Sequence, residues 1–414
     1  MYFSRITNAK VNFFSFLWHS LFLALAKNFM DINTIIPAML ISAGGTTTDL
    51  GILTAIMIGG ASFMQIVFAG FLFKKVRKKK YLLIGIYLRV AALLGLGLLL
   101  AQVSKMPALY IISSIFILIS IFTFSGSFAN ISYTDILGKS ITGDSRKRFF
   151  VVRQVILSSG ILVSAIIVRY LVRRYEYPHN YSILFVSAGV LLLIASIGFW
   201  MIREKPTDFK SSGINFLSVF TAFKEMFGED VNLRYYMLLK NSAGIGLTLV
   251  PFYISLAKER LGLTSAAVGN FLLLQIIGMI VSTLLWNFLI KKGAYKGLVR
   301  TYTLIGSALP ILALSFSASK TIYPFIFLLS GFNISAYQIA LPGILLEISK
   351  EQNRALYTAL SGAGSFLTIL FPLIAGALIS RLGYPSVFGF SVLITATSIM
   401  FVNKINCKQS RESA

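Results

Sequence analysis

The sequence predicts an all-α membrane protein in which twelve transmembrane helices form two pseudo-symmetric six-helix bundles. Hydrophobic residues make up 56% of the 414 residues and mean hydropathy is +0.80. Only 13% of the residues are charged, whereas an average soluble protein has about 25%. Twelve apolar segments are long enough to cross a hydrocarbon core of roughly 30 Å. Short motifs also recur in the same order in the two chain halves, as in a duplicated unit.

The twelve apolar segments are called spans one to twelve in chain order. Glycine and proline within them are compatible with membrane helices, because neighbouring helices satisfy the freed backbone groups. Their predicted ranges are 13–42, 50–73, 81–103, 107–133, 149–172, 181–202, 232–256, 266–290, 297–318, 321–346, 356–380 and 385–403.

The distribution of lysine and arginine predicts the orientation of the chain. With both termini in the cytosol, and with residues near span ends counted on the adjoining side, 27 basic residues are cytosolic and eight are outside, whereas Lys27, Arg89 and Lys240 lie deeper within spans. This asymmetry follows the positive-inside rule and favours a multi-pass protein of the cell (inner) membrane. The net charge of +24 then reflects topology and contact with anionic membrane lipids. We therefore expect no nucleic-acid partner.

The chain is predicted to divide into an N-terminal six-helix bundle at 1–202, a cytosolic central loop at 203–231 and a C-terminal six-helix bundle with a short cytosolic tail at 232–414. Matching motifs support this division. Lys27-Asn28 precedes Pro37 by ten residues counted from the lysine, and Lys240-Asn241 precedes Pro251 by eleven. An ionisable residue at bilayer depth indicates a functional site. Two such residues at matching points indicate a repeat around a polar site.

Span one contains small and polar residues at helical spacing, which predicts one polar face. In this pattern Lys27 and Asp31 lie four residues apart and would pair. The pair is interpreted either as a substrate-binding and proton-coupling switch or as a self-neutralised structural pair. The predicted face consists of Ser20, Ala24, Lys27, Asp31 and Thr34.

Lys240 has no acidic residue within one helical turn. It is predicted either to face a polar cavity with Asn241 or to extend to the membrane surface. Arg89 in span three is interpreted as a residue that pairs structurally or extends to the surface, and ligand contact is the alternative. His19 and His179 are too few and too far apart to predict a metal site, and no cofactor is expected.

The chain resembles the major facilitator superfamily of transporters in span count, long central loop and duplicated halves. The basic turn after span two, GFLFKKVRKK at 70–79, stands where the family has G-x-L-x-D-R-x-G-R-K, with Lys74 in place of the aspartate. The resemblance implies that spans one, four, seven and ten line a central cavity. Asn333 and Tyr337 of span ten then become candidate substrate-binding residues, on one helix face with Ser330.

Charged residues at the predicted cytosolic helix ends are candidates for gating. Asp135 and Arg146 in the first half correspond to Glu347 and Arg354 in the second. They are interpreted either as ion pairs between the halves or as solvated surface residues.

The favoured function is secondary active transport by alternating access, with the two six-helix halves moving about a midplane site. Because no nucleotide-binding G-x-x-x-x-G-K-[ST] motif is present, the energy is expected to come from an ion or solute gradient. Two candidate lysines and one acid favour an organic anion, a carboxylate or a phosphate ester, bound at a midplane cavity. The alternatives are proton-coupled transport of a neutral or amphiphilic compound such as a drug, a sugar or a lipid-like molecule, and a non-transporting membrane receptor. We expect a monomer that is not an enzyme, with a small-molecule substrate and a coupling proton or other ion.

Overall fold

The described residues of the chain are almost entirely α-helical. The computed structural model describes residues 2–73, 75–103, 106–141, 144–206, 227–228, 230–290, 295–349, 357, 360–362 and 364–406. Span one contains the helices Tyr2–Lys27 and Ile35–Ser42, and span two contains Thr47–Thr54 and Ala61–Phe73. Spans three to six are the single helices Lys79–Ala101, Ala108–Ser140, Asp144–Arg174 and His179–Met201. Span seven contains the helices Val231–Thr248 and Val250–Leu261, and spans eight to ten are Ser265–Ile290, Tyr295–Ser315 and Phe325–Ile348. Spans eleven and twelve contain the helical stretches Phe366–Ala396 and Ser398–Lys404.

Eleven helical stretches among the described residues are long and apolar enough to cross a membrane. The last one, Leu360–Lys404, is 45 residues long and covers predicted spans eleven and twelve. Gly383 divides it, because its φ of 77° and ψ of 170° are not helical. Glycine adopts a positive φ readily because it has no Cβ atom. The helix therefore ends at Gly383, and a second helix begins after it. The structure therefore confirms the all-α membrane fold.

Span one is not a continuous helix. The first helix ends at Lys27, a short 3-10 turn covers Asn28–Met30, and Asp31 has φ of −64° and ψ of 127°. Asparagine and aspartate side chains compete for backbone hydrogen bonds and weaken a helix interior. The helix resumes only at Ile35. The interruption therefore coincides with the most polar part of the span.

Local sequence signals explain two other helix starts. The helix Thr47–Thr54 begins with a capping box in which Thr46 and Asp49 satisfy each other's backbone N–H groups. Asp230 caps the helix Val231–Thr248 by accepting from the N–H of Leu233 at 3.0 Å. Between Thr54 and Ala61, span two passes through a π-helical turn at Ala55–Gly60.

The chain forms two compact units by its internal contacts. The N-terminal unit comprises Met1–Asp31, Ser42–Gly44 and Gly60–Ile214, and the C-terminal unit comprises Ile32–Ile41, Gly45–Gly59 and Asn215–Ala414. Outer parts of spans one and two thus cluster with the second unit, whereas the predicted division assigned them to the first bundle. The predicted loop at 203–231 lies mostly outside the described residues, so its boundaries stay a prediction.

Each unit has an apolar core. In the N-terminal unit the ring of Phe16 contacts those of Phe149 and Phe199 at centroid distances of 6.2 and 6.3 Å. In the C-terminal unit buried residues of spans seven, nine and ten, including Tyr236 and Tyr302, form one cluster. These cores fix the helices on which the polar residues lie.

Candidate functional site

Lys240 contacts span eleven inside the C-terminal unit. Its half-buried ammonium donates hydrogen bonds to the carbonyl and the hydroxyl oxygen of Ser361, at 2.7 and 2.9 Å. Both oxygens are uncharged. Within the described part of the chain, no carboxylate lies within 4 Å of this ammonium. Lys240 is thus a cation held by neutral acceptors inside a membrane protein.

Asn241, the next residue, bridges two parts of span eleven. Its amide nitrogen donates to the carbonyl of Gly364 at 2.7 Å, and its amide oxygen accepts from the N–H of Leu367 at 2.9 Å. Leu367 lies in the first turn of the helix that begins at Phe366, where backbone N–H groups lack helical partners. Asn241 therefore caps this helix with a side chain from span seven.

The contacts of Lys240 and Asn241 arise because span eleven is interrupted before Phe366. The sequence SGAGS at 361–365 consists of small residues, and Ser365 has non-helical φ and ψ of −86° and 46°. The interruption frees backbone carbonyl and N–H groups in a medium that offers them no water. Broken helices with freed backbone groups are typical of transporter binding sites.

Aromatic residues surround this region. Tyr236 lies one turn before Lys240, is 2% exposed and faces Ser361. The ring of Tyr337 lies 5.5 Å from that of Tyr302, whose hydroxyl donates to the carbonyl of Ala243. Tyr337, predicted as a cavity residue, is half-buried and packs against the core cluster of the C-terminal unit.

Asn333 is fully buried in span ten. It shares the helix Phe325–Ile348 with Tyr337, as the predicted common helix face requires. Neither polar atom of its side chain has a hydrogen-bond partner of good geometry among the described residues. A Cβ atom at Gly306 of span nine would lie 3.3 Å from its amide nitrogen. The structure therefore places Asn333 between spans nine and ten of the C-terminal unit.

In the N-terminal unit, the interruption of span one corrects the predicted polar face. Lys27 is the last residue of the helix and its side chain is exposed. Because helical periodicity ends there, the four-residue spacing does not place Asp31 on the same helix face, and Thr34 lies beyond the interruption. Asp31 is half-buried in extended backbone.

Asn28 links the interruption of span one to span five. It is buried, and its amide nitrogen donates to the carbonyl of Ile161 at 2.6 Å. Its amide oxygen has no partner among the described residues. Asn241 makes the corresponding contact to span eleven, the fifth span of the second half. The two asparagines thus connect the first and fifth spans of each half.

Sequence reasoning missed Arg153 as a site residue, although it lies four residues inside predicted span five. Its Nε donates to the hydroxyl of Ser20 at 3.3 Å, and the hydroxyl of Tyr133 faces both residues. Arg89 lies in the same unit, and its guanidinium covers the ring of Phe122 at 4.4 Å from the centroid. A cation–π contact of this kind agrees with the structural interpretation of Arg89.

Of the four predicted gating residues, Asp135 and Arg146 have partners within their own unit, Glu347 is buried without a hydrogen-bond partner among the described residues, and Arg354 is not described. Asp135 forms ion pairs with Lys78, at 3.1 Å, and with Lys139. Arg146 is exposed and donates to the carbonyl of Gly138 at 3.4 Å. The carboxylate oxygens of Glu347 are buried without a hydrogen-bond partner in the described ranges. Arg354 lies outside them, so a gating role stays a prediction for all four residues.

No three histidine, cysteine, aspartate or glutamate side chains of the described residues are grouped as metal ligands. The polar groups that the structure brings together are lysine, arginine, asparagine, serine and tyrosine. These residue types bind solutes through charge and hydrogen bonds.

Broken membrane helices with ionisable residues beside them are typical of secondary transporters. The sequence profile of the Major Facilitator Superfamily matches residues 236–405. Residues 236–405 are thus similar to this superfamily, and the described residues have the fold of its solved members. The apolar helices of the chain make it a multi-pass membrane protein, and the superfamily that residues 236–405 match is one of transporters.

Solved structures of transporters share this fold at low sequence identity. A mutant of the nucleoside transporter NupG superposes with a TM-score of 0.75 at 11% identity, covering 95% of this chain and 100% of that one. A POT family transporter in complex with 5-aminolevulinic acid has a TM-score of 0.68 at 13% identity, over 96% of both chains. A D-xylose-proton symporter has a TM-score of 0.63 at 14% identity, over 97% of both. No curated protein sequence matches the chain.

Proposed function

We propose that this transporter moves a small organic anion, a carboxylate or a phosphate ester, by alternating access. The observation that supports this is the environment of Lys240. A half-buried ammonium bound only to the neutral oxygens of Ser361 leaves its positive charge uncompensated by any described carboxylate. An anionic ligand would supply the missing charge.

The structural alternative is that Lys240 only satisfies the carbonyl of Ser361 where span eleven is interrupted. Substitutions separate the two roles, because glutamine keeps an N–H donor for Ser361 but removes the charge. Arginine keeps both the charge and the donors. If Lys240 only satisfies the carbonyl, Lys240→Gln should behave as the wild type does.

The experiment combines thermal-shift measurements with uptake into proteoliposomes, using carboxylates and phosphate esters beside their uncharged amide and alcohol analogues. We expect an anion to raise the melting temperature of the wild type and of Lys240→Arg, and to be transported by both. Lys240→Gln should keep the unliganded melting temperature but lose the shift and the uptake. Lys258→Gln, at an exposed lysine of the same span, is the matched control. Uptake by Lys240→Gln equal to that of the wild type would refute the proposal.

A proton-coupled mode for a neutral or amphiphilic compound is the second candidate. Its support is Asp31, an acid that lies directly after the first helix of span one, in non-helical backbone. A carboxyl group in such a place can carry the coupling proton. Orientation is also part of the proposal: both termini lie in the cytosol, because most lysine and arginine residues then fall on the cytosolic side.

A further inference from the structure

We propose that Arg153, Ser20 and Tyr133 form a second anion-binding site, which lies entirely within the N-terminal unit. The site takes the carboxylate or phosphate group of a ligand. The choice of ligand rests on the proposed function, whereas the site itself rests on the contacts of these three residues. Ser20 belongs to span one, Tyr133 to span four and Arg153 to span five.

Arg153 has unused hydrogen-bonding capacity. A guanidinium has five N–H donors, and the described contact of Arg153 is one long bond of 3.3 Å from Nε to Ser20. No carboxylate lies within 4 Å of it in the part of the chain that the structure describes. A half-buried guanidinium in span five thus keeps its two terminal amino groups for another acceptor.

Tyr133 supplies a second unused donor at the same place. Its hydroxyl faces Ser20 and Arg153, yet it is buried and has no partner of good hydrogen-bond geometry among the described residues. Its ring is held by edge contacts with Phe16 and Phe199 at 5.4 and 5.9 Å. Because a buried hydroxyl without a partner is unfavourable, Tyr133 is available to donate to a bound acceptor.

Open space adjoins Arg153 along span five. Arg153 lines a groove of about 490 Å³ on span five with Phe150, Val151, Gln154 and Val155. This volume is enough for a small organic acid. A fixed phenol and the planar fork of an arginine match the oxygens of a carboxylate or a phosphate in geometry as well as in charge.

Ser20 acts as the residue that positions Arg153. Its hydroxyl donates to the carbonyl of Phe16 at 2.8 Å, which turns an oxygen lone pair toward Arg153. The guanidinium is therefore oriented before any ligand arrives, and this lowers the entropy cost of binding.

The test uses the full-length protein in neutral detergent, titrated with inorganic phosphate, with succinate and, in a separate arm, with phosphatidylglycerol in mixed micelles. Dissociation constants are measured from ligand-induced shifts in melting temperature. We expect Arg153→Gln to weaken binding by about 10- to 100-fold, and Tyr133→Phe and Ser20→Ala to weaken it less. Arg173→Gln, at an exposed arginine of the same helix, should bind as the wild type does.

The two arms identify the source of the anion. Binding of phosphate or succinate that depends on Arg153 indicates a soluble solute, and Arg153-dependent binding of phosphatidylglycerol alone indicates a lipid headgroup. Equal binding of all three probes by the wild type and Arg153→Gln, or binding of none, would overturn the second site. If Arg153→Gln loses binding and Arg153→Lys loses it too, a positive charge alone is not enough and the planar guanidinium is required. If Lys240→Gln loses transport while Arg153→Gln binds every probe as the wild type does, the second site is rejected and the proposed function stands.

Discussion

The side-chain amide of Asn241 donates a hydrogen bond of 2.7 Å to the carbonyl of Gly364, across the interruption of span eleven. The same side chain accepts from Leu367 on the other side of the interruption and donates to Met237 in its own helix. One amide thus satisfies three backbone groups within membrane-spanning segments, where partners for freed backbone groups are scarce. The broken helix of span eleven is stabilised by its neighbour, span seven.

Asn241→Leu should therefore lower stability by about 1–3 kcal/mol, because it leaves the carbonyl of Gly364 and the N–H of Leu367 unpaired. Thermal unfolding in detergent measures the change. Asn130→Leu is the control, since the side chain of Asn130 is exposed in span four. Equal melting temperatures for the two variants would show that the three hydrogen bonds of Asn241 add nothing to stability.

Gly376→Ala should be destabilising. A Cβ atom at Gly376 would lie 2.4 Å from the carbonyl oxygen of Thr47, inside the C-terminal unit. Overpacking of this kind costs about 1–3 kcal/mol. A Cβ at Gly389, in the same helical stretch, would meet nothing within 4 Å. Gly389→Ala should then raise stability slightly through helix propensity, and a loss as large as that of Gly376→Ala would contradict the argument.

Asp135→Asn should destabilise the N-terminal unit more than Lys139→Gln does. The side chain of Lys78 is only 7% exposed and pairs with Asp135 at 3.1 Å. Removing the carboxylate therefore takes an ion-pair partner away from a buried cation. The side chain of Lys139 is 21% exposed, and partly exposed pairs contribute about 0–1 kcal/mol. Chemical denaturation in detergent measures both variants, and the reverse order would contradict the expected difference.

Asp31→Asn tests proton coupling. If Asp31 carries the coupling proton, the variant should lose uptake driven by a pH gradient while it keeps substrate counterflow, because binding no longer requires protonation. Proteoliposomes with and without a pH gradient provide the measurement. Uptake in Asp31→Asn that still follows the pH gradient would exclude Asp31 from coupling.

Cysteine labelling tests the proposed orientation. Cys407 is the only cysteine, so Cys407→Ser provides a background without thiols. In intact cells, Lys320→Cys should react with a membrane-impermeant maleimide and Lys205→Cys should react only after permeabilisation, because the two exposed positions lie on opposite predicted sides. Labelling in the opposite pattern would show that the orientation in the membrane is the reverse of the proposed one.

The sequence by itself determined the membrane class, the helical fold and the positions of almost all spans, because each span must satisfy its backbone internally and present apolar side chains to lipid. It also identified the Lys-Asn pairs as corresponding elements. Their contacts to the fifth span of each half agree with the idea of a repeat, since Asn28 and Asn241 bond to Ile161 and Gly364.

Only the tertiary structure decided which polar residues meet. Helical periodicity predicted one face from Ser20 to Thr34, but competition by polar side chains ends the helix at Lys27. Spacing along one helix also cannot show that Lys240 meets Ser361, more than a hundred residues away, or that Arg153 meets Ser20 and Tyr133. Such contacts depend on how separate helices pack, and packing depends on side-chain shape over the whole unit rather than on a local period.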